Sequence, residues 1–258
     1  IAWGQFRFPI TRLSLPVDSD QFFNTSLEVE QNEIFIKGDE FHLSFNLENG
    51  FLNKYNYRNI DILSNELTPF FWRAPTDNDL GNDMPERCAI WKNAHNELLM
   101  QSIDTSSIGV DYFHELSNCR LQLSYNIYGN GMVKLKQTLY PSGSELPELP
   151  RFGMKTTIPS SFNSLEWFGR GPHESYWDRK SSARIDRFKG KVWDQTFKYV
   201  RPQETGNKTD VRWMAMHNGS VGIMAKGIPF FDGSVHHYNY TNLYHAKGSQ
   251  LHGAIDIK

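Results

Sequence analysis

The chain has 258 residues, 39% of them hydrophobic and 14% aromatic, enough to bury a sizeable core. Its 27 Lys and Arg against 29 Asp and Glu leave a net charge of −2, which gives no electrostatic reason to expect nucleic acid or an anionic membrane as partner. No apolar run reaches the roughly 18 residues of a membrane span, and Ile1–Ile10 lack the basic-then-apolar order of a secretory leader, so the compartment stays open.

In chain order, residues 14–26 ("SLPVDSDQFFNTS") are polar and without pattern, and read as a linker. Strand alternation follows. In "FHLSFNLENG", Phe41, Leu43, Phe45 and Leu47 point one way while His42, Ser44, Asn46 and Glu48 point the other, which predicts a half-buried strand ending in an Asn49-Gly50 turn. "NDMPERCAIWKNAHNELLM" (82–100) is the one stretch that looks helical: Asn82 or Asp83 as cap, Pro85 in the first turn, and Trp91, Ala94 and Leu98 at helical spacing. Leu121, Leu123, Tyr125 and Ile127 alternate again, turn at Gly129-Asn130-Gly131 and return through Val133 and Leu135. A further hairpin turns at Asn218-Gly219. Strand signals from about 27 to 230, broken by short Gly, Pro and Asn stretches, favour one large antiparallel assembly over βαβ repeats. Cys88 and Cys119 lack metal-type spacing and read as free buried thiols.

Three stretches carry more chemistry than a β-scaffold needs: "FFWRAPTDNDLGND" (70–83), "LEWFGRGPHESYWDRKSSA" (165–183) and "YVRPQETGNKTDVRWM" (199–214). Together, in this order, they resemble the C-terminal small-chain domain of family 2 β-galactosidases, over about residue 27 to the end. The resemblance implies an all-β fold, a large antiparallel β-supersandwich similar to galactose mutarotase. It also implies a division into a remnant of a preceding immunoglobulin-like domain (1–13, "IAWGQFRFP"), the linker 14–26, and the small-chain domain 27–258.

In that family the two catalytic carboxyl groups, about 5 Å apart in a retaining glycosidase, lie on a (β/α)₈ barrel. Such a barrel takes about 250 residues by itself, and this chain has one helical candidate. The expectation is therefore an accessory segment without catalytic residues, which completes the active-site wall and supports a barrel outside the chain. The family's late Gly-Gly-Asp-like loop ending in Trp would follow "LHGAIDIK". No cofactor is implied in this segment. The partners implied are a β-galactoside and the other domains of a parent that hydrolyses terminal β-galactosides and can be homo-oligomeric.

Within 167–180, Glu174, Tyr176 and Arg179 have two readings. One is a structural turn in which Gly169 and Gly171 supply unusual backbone angles and Glu174 or Asp178 pairs with Arg170 or Arg179; the other places them beside the sugar pocket or against the barrel. Gln203, Glu204, Asn207 and Lys208 surround Gly206 and suit a pocket wall, with Glu204 pairing Arg179 there, or else Arg201 or Arg212 inside the sheets. A Ser175–His173–Asp178 triad is disfavoured because sequence adjacency does not give triad geometry. Asp77, Asp79 and Asp83 only faintly resemble a calcium loop, and backbone capping by Asp and Asn is preferred. His236, His237, His245 and His252 are too irregular for zinc. Glu166, Glu174, Asp178 and Glu204 all neighbour Arg, Lys or Gly-rich turns, which favours their ionised forms and leaves no general acid. Trp72, Phe168 and Trp177 are expected in an exposed apolar patch. The alternative function is a stand-alone carbohydrate-binding or mutarotase-like module with His173 and Glu204 as its acid and base.

Overall fold

The computed structural model describes residues 4–6, 25–92, 94, 97–104, 109–116, 119–141 and 145–244. They fall into two compact units, an N-terminal one of Leu15–Trp72 with Asp83–Pro159 and a C-terminal one of Ile1–Ser14, Arg73–Asn82 and Ser160–Lys258. The segments 1–13 and 14–26 lie largely outside the described residues, as do His245, His252 and the end of the chain.

The N-terminal unit is two antiparallel meanders and a small ribbon. Strands β1 (Ser26–Glu30), β2 (Glu33–Lys37), β3 (Phe41–Asn46), β4 (Leu52–Tyr57) and β5 (Ile60–Asp61) pair in sequence order. Strand β6 (Thr68–Phe70) pairs with β11 (Gly153–Lys155), and β7 (Glu97–Asp104), β8 (Gly109–Leu116), β9 (Cys119–Ile127) and β10 (Val133–Pro141) make the second meander. The alternation read from the sequence sets the faces: Phe41, Leu43 and Phe45 on β3 and Leu121, Leu123 and Tyr125 on β9 are buried. The two inner faces meet at Phe45 and Tyr125, whose rings lie edge to face at 5.0 Å. Each such side chain contributes about 1.5–3 kcal/mol by leaving water. The Asn49-Gly50 turn forms as expected, with Gly50 at φ 74°, a conformation that costs a residue with a Cβ. Cys88 and Cys119 are buried and in no disulfide.

The helix expected over 82–100 is not there. Two single turns, Met84–Arg87 and Ala89–Lys92, end by Lys92, and from Glu97 the chain is strand β7, paired antiparallel with β8 with one register shift between Leu98 and Met100. Asp83 precedes the first turn with a left-handed backbone and makes no side-chain cap bond. Pairing with β8 satisfies the inward backbone groups of an eight-residue edge strand, and three residues at helical spacing do not compete with that. Trp72, expected at the surface, is 1% exposed and Phe168 is half-buried, while Trp177 is 73% exposed. Trp72 is buried together with its neighbour Phe71, whose ring packs at 6.2 Å from Trp91 and 5.9 Å from Phe152 in the N-terminal unit.

The C-terminal unit is built on one sheet in the order β13 (Arg184–Lys191), β12 (Ser164–Gly171), β14 (Lys208–His217), β15 (Gly222–Gly233). One face carries a core of Leu165, Trp167, Val192, Val211 and Met214, flanked by Phe188, Met216 and Phe231. The glycines of β12 serve this packing rather than an unusual backbone angle. Neither has a positive φ, but a Cβ on Gly169 would lie 2.9 Å from the Val211 Cα, and one on Gly171 2.8 Å from the Phe188 ring. The Asn218-Gly219 hairpin forms as expected, Asn218 Oδ1 accepting from Ser220 and Val221 N–H.

Candidate functional site

The second and third motif stretches converge where β12 ends and β14 begins. Arg170, the penultimate residue of β12, gathers the loop 172–183: its guanidinium donates to the carbonyls of Lys180 (3.0 Å) and Ala183 (2.8 Å) and to Asp210 Oδ2 (2.5 Å). Asp210 has a left-handed backbone, φ 53°. Burial would raise its carboxyl, but Arg170 and Lys180 outweigh that and hold it below the usual carboxylate range.

Beneath the loop runs a segment in which every residue from Glu204 to Thr209 is buried. Buried backbone must find partners, and here it does so reciprocally. Ser175 N–H donates to Asn207 O (2.8 Å), Asn207 Nδ2 donates back to Ser175 O (2.9 Å), and Ser175 Oγ accepts from Thr209 N–H (3.0 Å) while sharing a bond with Thr209 Oγ1. Lys208 is 2% exposed. Its Nζ donates to Pro172 O at 3.1 Å and lies 5.0 Å from the centre of the Trp167 ring. Burial pushes this amine down to about 8, against a smaller opposing pull from Glu174.

Glu174 is the knot between the loop 172–183 and the segment 196–206. Its Oε1 accepts from the Tyr199 hydroxyl and from Arg179 (2.8 Å), and its Oε2 from Thr205 Oγ1 (3.0 Å) and Gly206 N–H (2.7 Å). Burial alone would raise this carboxyl. The hydroxyl of Tyr199, the Gly206 N–H, the Thr205 hydroxyl and Arg179 together reverse the effect and keep it lowered. Arg179 also donates to the Tyr199 oxygen (2.9 Å) and stacks 4.5 Å from the centre of the Tyr176 ring. The Tyr176 phenol is pushed well up by burial, and further by the charges of Glu204 and Glu174. Gly206 is required: its φ is 75°, and a Cβ would stand 2.6 Å from Gln195 O.

Of the residues singled out in the sequence, Glu174, Tyr176, Arg179 and Asn207 therefore come together. Gln203 points elsewhere, its Oε1 accepting from Asp77 N–H (3.3 Å), and Arg201 pairs with Asp77 as well (3.5 Å). Glu204 is 5% exposed, and the ion-pair partner of Arg179 is Glu174, not Glu204. Position 204 lies in the buried segment, whereas Glu174 sits five residues from Arg179 within one loop. Ser175 is bonded to Thr209, and His173 to Ser182 at 3.0 Å, so the triad is excluded by geometry. Asp79 caps the short helix Asp77–Gly81 in a reciprocal box with Thr76 and pairs with Arg73, as the capping reading required. Tyr199, Thr205 and the Arg170–Asp210 pair were missed. Hydroxyls that satisfy a buried carboxylate leave no spacing signal, although all lie inside the quoted motifs.

Chemically, a carboxylate saturated by four donors is a structural pin rather than a proton donor. What it presents outward is different: Arg179 is half-exposed, and on the pinned segment Phe197 is 59% and Val200 86% exposed. A guanidinium beside aromatic and apolar surface suits contact with a sugar or with another protein surface.

The family model described as β-galactosidase small chain matches residues 37–254. A β-galactosidase of Priestia megaterium is 39% identical over 238 residues, 89% of this chain and 23% of that protein. One from Halalkalibacterium halodurans is 32% identical over 69% of this chain and 18% of its own length, and one from Kluyveromyces lactis 28% identical over 89% and 24%. The chain thus spans about a quarter or less of the length of the relatives it matches.

Proposed function

The chain belongs to the β-galactosidase small-chain family, and from that premise we propose that it is the non-catalytic portion of an enzyme hydrolysing terminal β-galactosides, where it completes the active-site wall and supports the catalytic barrel. The observation that carries this reading is the Glu174 knot. Three donors fix the loop 172–183 against the segment 196–206 and Arg179 adds a fourth from within the loop, and the frame so fixed exposes Arg179, Phe197 and Val200. Rigid support behind an exposed apolar and cationic rim is what a wall or an interdomain contact needs. In this reading Arg179 and Tyr176 stand at the rim, Gln203 sets the position of the Asp77 helix, and Glu204 and Asn207 hold the frame from within.

Hydrolysis of a glycoside needs one carboxyl group kept protonated and another ionised across the anomeric carbon. Glu174 is held ionised and consumed by its donors. The 258-residue chain by itself is accordingly expected to turn over no chromogenic β-galactoside between pH 5 and 8. Turnover that survives repurification and vanishes in Glu204→Gln would overturn the accessory role.

A further inference from the structure

A strand at a sheet edge offers a row of free N–H and C=O groups, and folded proteins blunt such edges with charge, proline or bulges. The two edges of the C-terminal sheet are treated differently. On β13, Arg184, Asp186, Arg187, Lys189 and Lys191 charge the strand, and the Gln5 side chain caps the edge, donating to Ile185 O (2.7 Å) and accepting from Ile185 N–H (2.6 Å).

Strand β15, on the other side, is protected only over its second half. There the pairing with β14 shifts register between Lys208 and Trp213, and the strand contains Pro229. Its first half, Gly222–Lys226, pairs in regular register with Trp213–His217, holds one charge, and has no proline. Among the described residues nothing pairs with its outer side. The core layer also stops short of it. Ala225 stands opposite Met214, a core residue, yet is exposed, and on the other face of the strand Met224 is 61% exposed as well. A flat, nearly uncharged edge next to an uncovered core face is an aggregation site unless something occupies it.

We propose that Gly222–Lys226 is an acceptor edge for one further β-strand, contributed by the rest of the polypeptide and carrying apolar residues on the side that continues the core. The inference rests on the reading that this segment works within a longer chain, and the occupant is argued from length: the matched relatives extend over at least three quarters of their sequence beyond the aligned region. Strand addition of this kind takes its affinity from main-chain hydrogen bonds and its selectivity from alternate side chains.

Amide hydrogen exchange resolved to single residues tests it, on the monomeric 258-residue chain and on the full-length polypeptide containing it. In the short chain, amides of Gly222–Lys226 bonded to β14 should exchange slowly and the alternating outward ones fast; in the long chain the outward ones should slow by about a hundredfold or more. Outward amides equally fast in both overturn the proposal. So does protection already complete in the monomer, or protection that appears only when the short chain is concentrated, which would make a second copy the occupant. Galactosidase assays on the same long polypeptide separate the two ideas. An active polypeptide with unprotected outward amides sinks the acceptor edge alone, and an inactive one with protected amides sinks the enzymatic reading alone.

Discussion

Replacing Lys208 by Met tests how the buried polar segment is held. The amine is lowered from 10.5 to about 8 by burial, and at about 1.4 kcal/mol per tenfold change in proton affinity the cost of keeping it charged inside is about 3 kcal/mol. At neutral pH both folded and unfolded chains carry the proton, so that cost is present in full. As pH rises through about 8 the folded state releases the proton while the unfolded state keeps it until about 10.5. The unfolded state then binds more protons, and stability rises across that window. Met keeps the aliphatic stem over Trp167 but leaves Pro172 O without its donor, a loss of about 1–3 kcal/mol. The two effects nearly cancel at pH 7, so Lys208→Met should unfold within about 2 kcal/mol of the parent chain there. Above pH 8 the variant should fall behind, because it lacks the alkaline gain. Urea melts followed by tryptophan fluorescence at pH 7, 8, 9 and 10 give the difference directly, other titrating groups being common to both proteins. Parallel stability curves would refute the buried, singly bonded amine.

How much of this was readable in advance differs by element. Alternation over Phe41–Phe45 and Leu121–Ile127 announced β3 and β9 because a strand with one face buried leaves period-two apolar spacing. The all-β class followed from repetition of that signal. At 97–104 no clean alternation exists, since Leu98, Leu99 and Met100 are consecutive; Pro85 and Trp91 upstream suggested a helix, and pairing with β8 decided the outcome. The Glu174–Arg179 pair was legible as one option among several because both residues lie in one loop. The rest of the knot was not. Tyr199, Thr205 and Gly206 reach Glu174 from 25 to 32 positions away, and only the pairing of β12 with β14 brings them there. Gly169 and Gly171 show the converse: glycine was legible, but its reason was the close approach of the neighbouring strands, at the Val211 main chain and the Phe188 ring, rather than its own backbone angle.

The remaining predictions concern the knot. Glu174→Gln should cost about 1–3 kcal/mol and flatten the acid limb of stability against pH. The lowered carboxyl contributes stability above the unfolded value that is lost as pH falls through the folded one, so thermal melts between pH 3 and 6 that stay parallel to the parent chain would count against its ionised state. Gly206→Ala puts a Cβ 2.6 Å from a main-chain oxygen at φ 75°, and should lower folding stability by at least about 1–3 kcal/mol; an unchanged melting temperature would mean the segment 195–206 moves freely. Arg179→Ala separates frame from rim. Its guanidinium is half-exposed, so solvent screening limits its ion pair with Glu174 to about 0–1 kcal/mol, and Glu174 retains Tyr199, Thr205 and Gly206 as donors. The isolated chain should therefore melt within a few degrees of its parent. On the proposed reading, the same change in the full-length enzyme removes a cation from a rim facing sugar or barrel, where contacts are drier and worth more. Turnover of a β-galactoside should fall at least about tenfold, equivalent to ~1.4 kcal/mol in the transition state, with the melting temperature barely moved. Should kcat and melting temperature decline together, or should neither change, Arg179 belongs to the frame alone and the wall must be sought among other residues.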